Sequence, residues 1–241
     1  MVIEPFSYEA AGLNMAGRIV RPDSLADDAL GILLFPDAFG LGEHALTQAE
    51  RFTALGHVVL ACDLHGDGRR LEALPDVLEF VGQVQADPSD IRKRASGAMA
   101  ALEKASQLPP SRLVSVGYCL GGTMGLELAR SGAPIAATVG LHCGLGTRQP
   151  EDASNIKGLI LMCIGADDPI VSPEERAAFE KEMRAGGVDW QLDVYGGVVH
   201  SFTDPSVDRL NQPHVTRYDA KADRRSWAAI VELLDEVSRP R

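Results

Sequence analysis

The sequence has little positive charge and no long hydrophobic segment. It contains 23 Lys and Arg against 34 Asp and Glu, which gives a net charge of −11 over 241 residues. A field of this sign repels phosphate backbones, so we expect no nucleic-acid partner. No apolar run approaches the ~20 residues that cross a bilayer, and the opening MVIEPFSYEA lacks the basic start and apolar core of an export signal. We therefore expect no membrane partner and a cytoplasmic location.

Cysteine is also scarce, and the four cysteines are not arranged as a disulfide framework. No two of them form a C-x-x-C pair. Cys62 in VVLACDL and Cys163 in LILMCIG lie in apolar, strand-like runs, where a thiol usually packs as a small hydrophobic residue. This usage favours a reducing compartment.

Motifs for nucleotides and metals are missing as well. The glycines after residue 120 do not form G-x-G-x-x-G with the preceding chain, and no P-loop is present. In CDLHGDGRR, the residues Asp63, His65 and Asp67 alternate, which could suggest a metal. No further ligand cluster supports that hypothesis, so a polar loop after a strand is the favoured interpretation. We expect neither a metal nor an organic cofactor.

What the sequence does contain is an alternation of short β-branched runs and longer segments of helical periodicity. This alternation predicts an α/β fold with a mainly parallel sheet covered by helices. Because no internal repeat or low-complexity linker interrupts it, we predict one domain over residues 1–241. Long irregular stretches are predicted at 63–76 and 201–219. Predicted strands lie near 14–21, 30–35, 57–62, 112–117, 135–141, 158–164 and 189–195, and predicted helices near 43–55, 88–107, 120–131, 173–185 and 220–238.

The segment VSVGYCLGGTMG sets Cys119 between a predicted strand and a predicted helix. Gly117 and Gly121 stand two residues before and after it, which makes G-x-C-x-G. A nucleophile at such a turn has a strained backbone, and small neighbours are needed because the chain passes close by. The helix that follows directs its N-terminal dipole at the sulfur and favours the thiolate. We therefore predict that Cys119 is a nucleophile.

A nucleophile needs a base, and the base needs an acid that orients it. GADDPIV places Asp167 and Asp168 just after one predicted strand, and His200 follows another in LDVYGGVVHSF. The order nucleophile, acid, histidine is that of α/β-hydrolases. Among the other histidines, His214 in NQPHV is the rival base.

These residues carry a resemblance to the dienelactone hydrolase family. GYCLGG is the most specific part, GADDPIV is similar to the family's acid turn, HSF to its histidine turn, and LFPDAFGLGEH to its first long strand and the following loop. The resemblance implies a single α/β-hydrolase domain with helices on both faces of the sheet. It also selects Asp168, three residues before Val171, as the acid.

The resemblance implies further site residues. Asp37 matches the position of an acid that engages the resting thiol in the family. The backbone N–H groups of Ala38 and Leu120 match the positions that form the oxyanion hole. The residues expected to line the pocket are Phe39, Tyr118, His142, Cys143 and Phe202.

We therefore expect a hydrolase of small neutral carboxylic esters or lactones that acts through an acyl-enzyme and binds only a small-molecule partner, as a monomer or homodimer. Family members that act on dienelactone hold its carboxylate with an arginine shortly after the catalytic histidine, where HSFTDP has Asp204. An acid there repels an anionic substrate unless Arg69, Arg70 or Arg209 compensates. Dienelactone hydrolysis, phosphotriester hydrolysis by the same triad, and a non-catalytic or thiol-redox module remain as alternatives.

Overall fold

The computed structural model describes residues 1–239, which contain an eight-stranded sheet. Its strands stand in the spatial order β1-β2-β4-β3-β5-β6-β7-β8. Strands β3 to β8 pair in parallel, whereas β1 and β2 are antiparallel to each other and β2 is antiparallel to β4. The predicted mainly parallel α/β fold is therefore confirmed. The strands are β1 (Val2–Ala10), β2 (Leu13–Arg21), β3 (Gly31–Phe35), β4 (Val58–Ala61), β5 (Leu113–Tyr118), β6 (Ala137–Leu141), β7 (Leu159–Gly165) and β8 (Trp190–Tyr195).

Helices cover both faces of this sheet. Alternate residues of a strand point to opposite faces. Leu113 of β5 thus packs in the core that includes α2, α3 and α4, and Val114 in the core that includes α1 and α6. No helix within residues 1–239 is long and apolar enough to cross a membrane. The α-helices are α1 (Glu43–Ala54), α2 (Leu74–Ala86), α3 (Ser89–Ser106), α4 (Leu120–Arg130), α5 (Pro173–Gly186) and α6 (Ala220–Ser238).

Two elements are not predicted from the sequence, and both are largely exposed. In the edge strand β1, only Tyr8 and Ala10 are buried, and in α2 only Val77 and Val84 are buried. With so few buried positions, β1 has little alternation to mark it as a strand, and apolar residues of α2 such as Leu74 and Leu78 are exposed instead of lying on a buried face. Helix α2 also shortens the irregular stretch predicted at 63–76. The single domain stays a prediction, and its last two residues lie outside the described ones.

The carboxyl ends of the parallel strands share one edge of the sheet, which is where this architecture gathers ligands. Asp37 follows β3, Cys119 follows β5, and His142 follows β6. Asp168 and His200 follow β7 and β8 along the same edge. The topology thus gathers residues that are up to 163 positions apart in the chain, counted from Asp37 to His200.

Candidate active site

Cys119 forms the one-residue turn between β5 and α4. Its φ of 53° and ψ of −124° lie outside the regions that residues with a side chain normally adopt. Strain of this kind persists only where the surrounding structure holds it, and it is common at active sites. The turn sets the sulfur at the N-terminus of α4. Its side chain is partly exposed, whereas the thiols of Cys62, Cys143 and Cys163 are buried.

Close backbone contacts explain the glycines on both sides of Cys119. A Cβ atom on Gly117 would lie 2.1 Å from the carbonyl oxygen of Gly121. A Cβ atom on Gly121 would lie 2.3 Å from the carbonyl oxygens of Phe35 and Pro36. Both distances are well inside the 3.5–4.0 Å contact range of heavy atoms. The symmetric glycines of the motif are therefore a steric requirement of this turn.

His200 and Asp168 are brought together from the ends of β8 and β7. The Nδ1 atom of His200 lies 2.7 Å from Oδ2 of Asp168, and Oδ1 of Asp168 accepts a hydrogen bond from the N–H of Ile170 at 2.8 Å. Both side chains are almost fully buried. The two alternatives, Asp167 and His214, are exposed to solvent and outside this pair.

The charge on His200 is set by Cys119 and Asp168. Burial by itself lowers the pKa of a histidine, because it disfavours the imidazolium. The charge interaction with Cys119 and the hydrogen bond to Asp168 outweigh burial and raise the pKa of His200 to about 10. The Nε2 atom of His200 is buried and has no hydrogen-bond partner within residues 1–239. The arrangement therefore favours the imidazolium form of His200 at neutral pH.

The two backbone N–H groups that the resemblance assigns to the oxyanion hole belong to the start of α4 and to the turn after β3. Leu120 is the first residue of α4, and N–H groups of a first helical turn have no partner within the helix. Ala38 is buried in a tight turn, in which the N–H of Gly40 donates to the carbonyl of Asp37 at 3.0 Å. The carboxylate of Asp37 accepts from the N–H of Phe39 at 2.9 Å and makes no hydrogen bond to Cys119 among the described residues. Burial raises the pKa of Asp37.

A polar cavity of about 210 Å³ opens beside this turn. Three carboxylates, those of Asp37, Glu43 and Asp204, share it with the guanidinium groups of Arg70 and Arg209, and no salt bridge joins these acids to these arginines. His44 also lines it and is not predicted from the sequence, although it lies in the segment LFPDAFGLGEH. The lining residues are Asp37, Phe39, Gly40, Gly42, Glu43, His44, Ala45, Arg70, Asp204, Ser206 and Arg209.

Of the five residues expected to line the pocket, only Phe39 lines this cavity. Tyr118, His142, Cys143 and Phe202 are instead buried in the packed interior. The ring of His142 stands edge-on to that of His200 at a centroid distance of 5.1 Å, and Phe202 packs against His142 at 5.2 Å. Their places directly after strands or beside site residues suggested a pocket wall. Side-chain packing, which the sequence does not reveal, turns them inward.

Two groups of residues have the composition of a metal site. Asp37, His44 and Asp204 offer ligand atoms within 4.8 Å of one another, but Arg70 and Arg209 line the same cavity and oppose a cation there. The second group is Asp63, His65 and Asp67. In it, Asp63 accepts hydrogen bonds at 2.8–3.1 Å from four backbone N–H groups, those of Ala16, His65, Gly66 and Gly68. Its carboxylate therefore organises the loop after β4.

Comparison with known proteins finds the same architecture elsewhere. The sequence profile of the dienelactone hydrolase family matches residues 15–238. The solved structure of m3DLH is 37% identical with a TM-score of 0.92, and each chain is covered to 98%. The dienelactone hydrolase-like promiscuous phosphotriesterase P91 from metagenomic libraries is 36% identical, with the same TM-score and coverage. Protein K02A2.1 of Caenorhabditis elegans is 33% identical over 152 residues, which are 61% of this chain and 94% of the worm protein.

Proposed function

Because the chain belongs to the dienelactone hydrolase family and is a hydrolase, we propose that it cleaves small neutral carboxylic esters or lactones with Cys119 as nucleophile. His200 moves the proton, and Asp168 orients the imidazole and stabilises its charged form. The observation that carries this proposal is the polar chain through His200. Its Nδ1 atom is 2.7 Å from Asp168, and its pKa is raised to about 10 by the thiolate on its other side.

Acylation starts from the ion pair. The thiolate of Cys119 attacks the carbonyl carbon, and the carbonyl electron pair moves onto oxygen. The N–H groups of Ala38 and Leu120 stabilise that oxyanion, and each donor of this type is worth roughly 3–4 kcal/mol in related chemistry. When the oxyanion collapses, the bond to the leaving oxygen breaks and His200 gives it a proton. The products of this half-reaction are an alcohol and a thioester on Cys119.

Deacylation returns the site to its starting state. Neutral His200 takes a proton from water as the water oxygen attacks the thioester carbonyl. The N–H groups of Ala38 and Leu120 also stabilise this second oxyanion. Its collapse breaks the carbon–sulfur bond, which releases the carboxylic acid and restores the thiolate of Cys119 beside the imidazolium of His200.

The charges of the cavity support a neutral substrate. Asp37, Glu43 and Asp204 contribute three carboxylates, and Arg70 and Arg209 contribute two positive charges. Because acids outnumber arginines here, the cavity does not attract anions. Dienelactone carries a carboxylate, so its electrostatic attraction to this cavity is weaker than to a site lined by arginine alone.

Stopped-flow hydrolysis of p-nitrophenyl acetate and butyrate tests the proposal. We expect a burst and then steady turnover in the wild type, with both lost in Cys119→Ala and in His200→Ala. Equal activity in all three proteins would rule out Cys119 as the nucleophile. A wild type without activity on these esters and on lactones would favour a binding or thiol-redox module, which a disulfide between Cys119 and Cys143 would support.

Phosphotriester hydrolysis is a second candidate, and the likeness to the phosphotriesterase P91 favours it. The phosphoryl oxygen of a neutral triester resembles the carbonyl oxygen of an ester, so the same N–H groups suit it. The thiolate displaces the aryloxide, and water then cleaves the phosphorus–sulfur bond. With paraoxon, we expect more than one equivalent of p-nitrophenol per enzyme. A single equivalent followed by permanent loss of activity would exclude turnover.

A further inference from the structure

The side chain of His65 lies behind the turn that carries Ala38. It is 5% exposed, and its Nε2 atom is 3.0 Å from the carbonyl oxygen of Ala38. We propose that His65 is the positioning residue of the oxyanion hole, because its Nε2–H group holds the Ala38 carbonyl and so fixes the orientation of the Ala38 N–H. This inference rests on the proposed function, since it assigns a role to the same turn.

The protonation of His65 suits this role. Burial lowers its pKa, so the ring is neutral at neutral pH and carries one N–H group. A carbonyl oxygen only accepts hydrogen bonds, which places that proton on Nε2. The Nδ1 atom is buried without a partner among residues 1–239, as expected for the nitrogen that has no proton to donate.

The surroundings of His65 hold its ring in place. Its own N–H donates to Asp63 at 3.0 Å, and the carboxylate of Asp63 accepts three further N–H groups. Phe80 of α2 packs edge-on against the ring at a centroid distance of 4.7 Å. Arg94 of α3 donates to the carbonyl of Leu64 at 2.7 Å. The His65 ring is therefore held by its own loop after β4 and by contacts from α2 and α3.

The turn is held at several points, and His65 supplies the one on Ala38. The Phe39 N–H donates to the Asp37 carboxylate at 2.9 Å, and the Phe39 carbonyl accepts from the N–H of Leu71, also at 2.9 Å. The Ala38 carbonyl accepts from His65. Oxyanion donors act only when they are held within about 0.5 Å of the productive geometry. The Ala38 N–H shares its peptide with the Asp37 carbonyl, which accepts from Gly40, so loss of the His65 bond loosens the turn at the adjoining peptide and lets this N–H tilt.

The test compares His65→Phe, which keeps a ring but loses the donor, with His65→Gln, whose amide can still donate. We expect the kcat for p-nitrophenyl butyrate to fall about tenfold to a hundredfold in His65→Phe, with little change in KM, since only part of one oxyanion donor is lost. Affinity for a trifluoromethyl ketone, whose adduct with the thiolate carries an oxyanion, falls by a similar factor. His65→Gln recovers most of both losses.

Alkylation of Cys119 by iodoacetamide separates positioning from general damage. This reaction displaces iodide and forms no oxyanion, so we expect its rate to stay within about twofold of wild type in His65→Phe. His57→Gln is the matched control. His57 is buried, lies directly before β4 at the end of the sheet opposite the site, and accepts a hydrogen bond from the backbone N–H of Leu30. It should leave kcat and ketone affinity unchanged.

The outcomes distinguish this inference from the proposed function. Unchanged kcat and ketone affinity in His65→Phe, with Cys119→Ala inactive, would overturn the role of His65 alone. Full activity in Cys119→Ala would overturn the proposed function. If His65→Phe does not fold, the ¹⁵N shifts of the His65 ring in the wild type decide. A neutral Nε2–H tautomer between pH 6 and 8 supports the proposal, and an Nδ1–H tautomer overturns it.

Discussion

The Nδ1 atom of His200 lies 2.7 Å from Oδ2 of Asp168, and the two residues come from the ends of neighbouring strands. This hydrogen bond keeps a proton on Nδ1 in both the charged and the neutral ring and fixes the orientation of the imidazole. Asp168 is itself held, because its second oxygen accepts the N–H of Ile170. The orientation of His200 is thus determined before any substrate arrives.

Asp168→Asn should lower kcat/KM for p-nitrophenyl butyrate by roughly 10²- to 10⁴-fold, because an amide can present its N–H to Nδ1 and stabilise the wrong tautomer. Asp167→Asn is the matched control, since Asp167 is adjacent in sequence but exposed. The kcat/KM of Asp167→Asn should stay close to that of the wild type. Comparable losses in both variants would mean that the turn, rather than the Asp168–His200 bond, matters for turnover.

The pKa of His200 should be measurable by NMR titration of the labelled ring. We expect the ring to keep its proton through neutral pH and to lose it near the raised value of about 10. In Cys119→Ala, the largest contribution that raises this pKa is absent, so the proton should be lost at lower pH. His57 serves as the internal reference, because burial lowers its pKa in both proteins. An unchanged His200 titration in Cys119→Ala would contradict the ion pair.

Gly121→Ala should destabilise the fold by several kcal/mol in urea unfolding, because the new Cβ would meet two carbonyl oxygens at 2.3 Å and the backbone must shift. Gly82→Ala is the control, since Gly82 lies in α2 and a Cβ atom added there would meet nothing within 4 Å. That change should be neutral or stabilising by about 0.5–1 kcal/mol. Similar free energies of unfolding for both variants would contradict the close approach at Gly121.

Asp204→Asn should shift substrate preference towards anionic esters. The change leaves Arg70 and Arg209 in the cavity with two carboxylates, Asp37 and Glu43, in place of three. We expect kcat/KM for a p-nitrophenyl hemisuccinate to rise relative to that for the butyrate, and the rise to shrink at high salt. Asp27→Asn removes the same charge at an exposed position before β3. It should leave the ratio of the two kcat/KM values unchanged at low and at high salt. An unaltered preference in Asp204→Asn would mean that the acyl group does not enter this cavity.

Much of this protein is determined by its sequence alone. Buried strands are continuous apolar runs, and helices with one buried face have a clear periodicity, so the α/β architecture follows from local patterns. The turn at Cys119 is also local, because Gly117 and Gly121 lie within two residues of it. The histidine and the pair Asp167 and Asp168 follow from their places after strands, and the resemblance to the family selects Asp168.

Only the tertiary structure decided the surroundings of these residues. Whether Tyr118 or His142 faces a cavity depends on side chains from distant elements, and both turned out to pack inward. The contact between His65 and Ala38 joins residues 27 positions apart, and no local pattern encodes it. Periodicity reports which residues are buried, because burial follows hydrophobicity. It does not report what buried residues touch, because that depends on how the elements pack against one another.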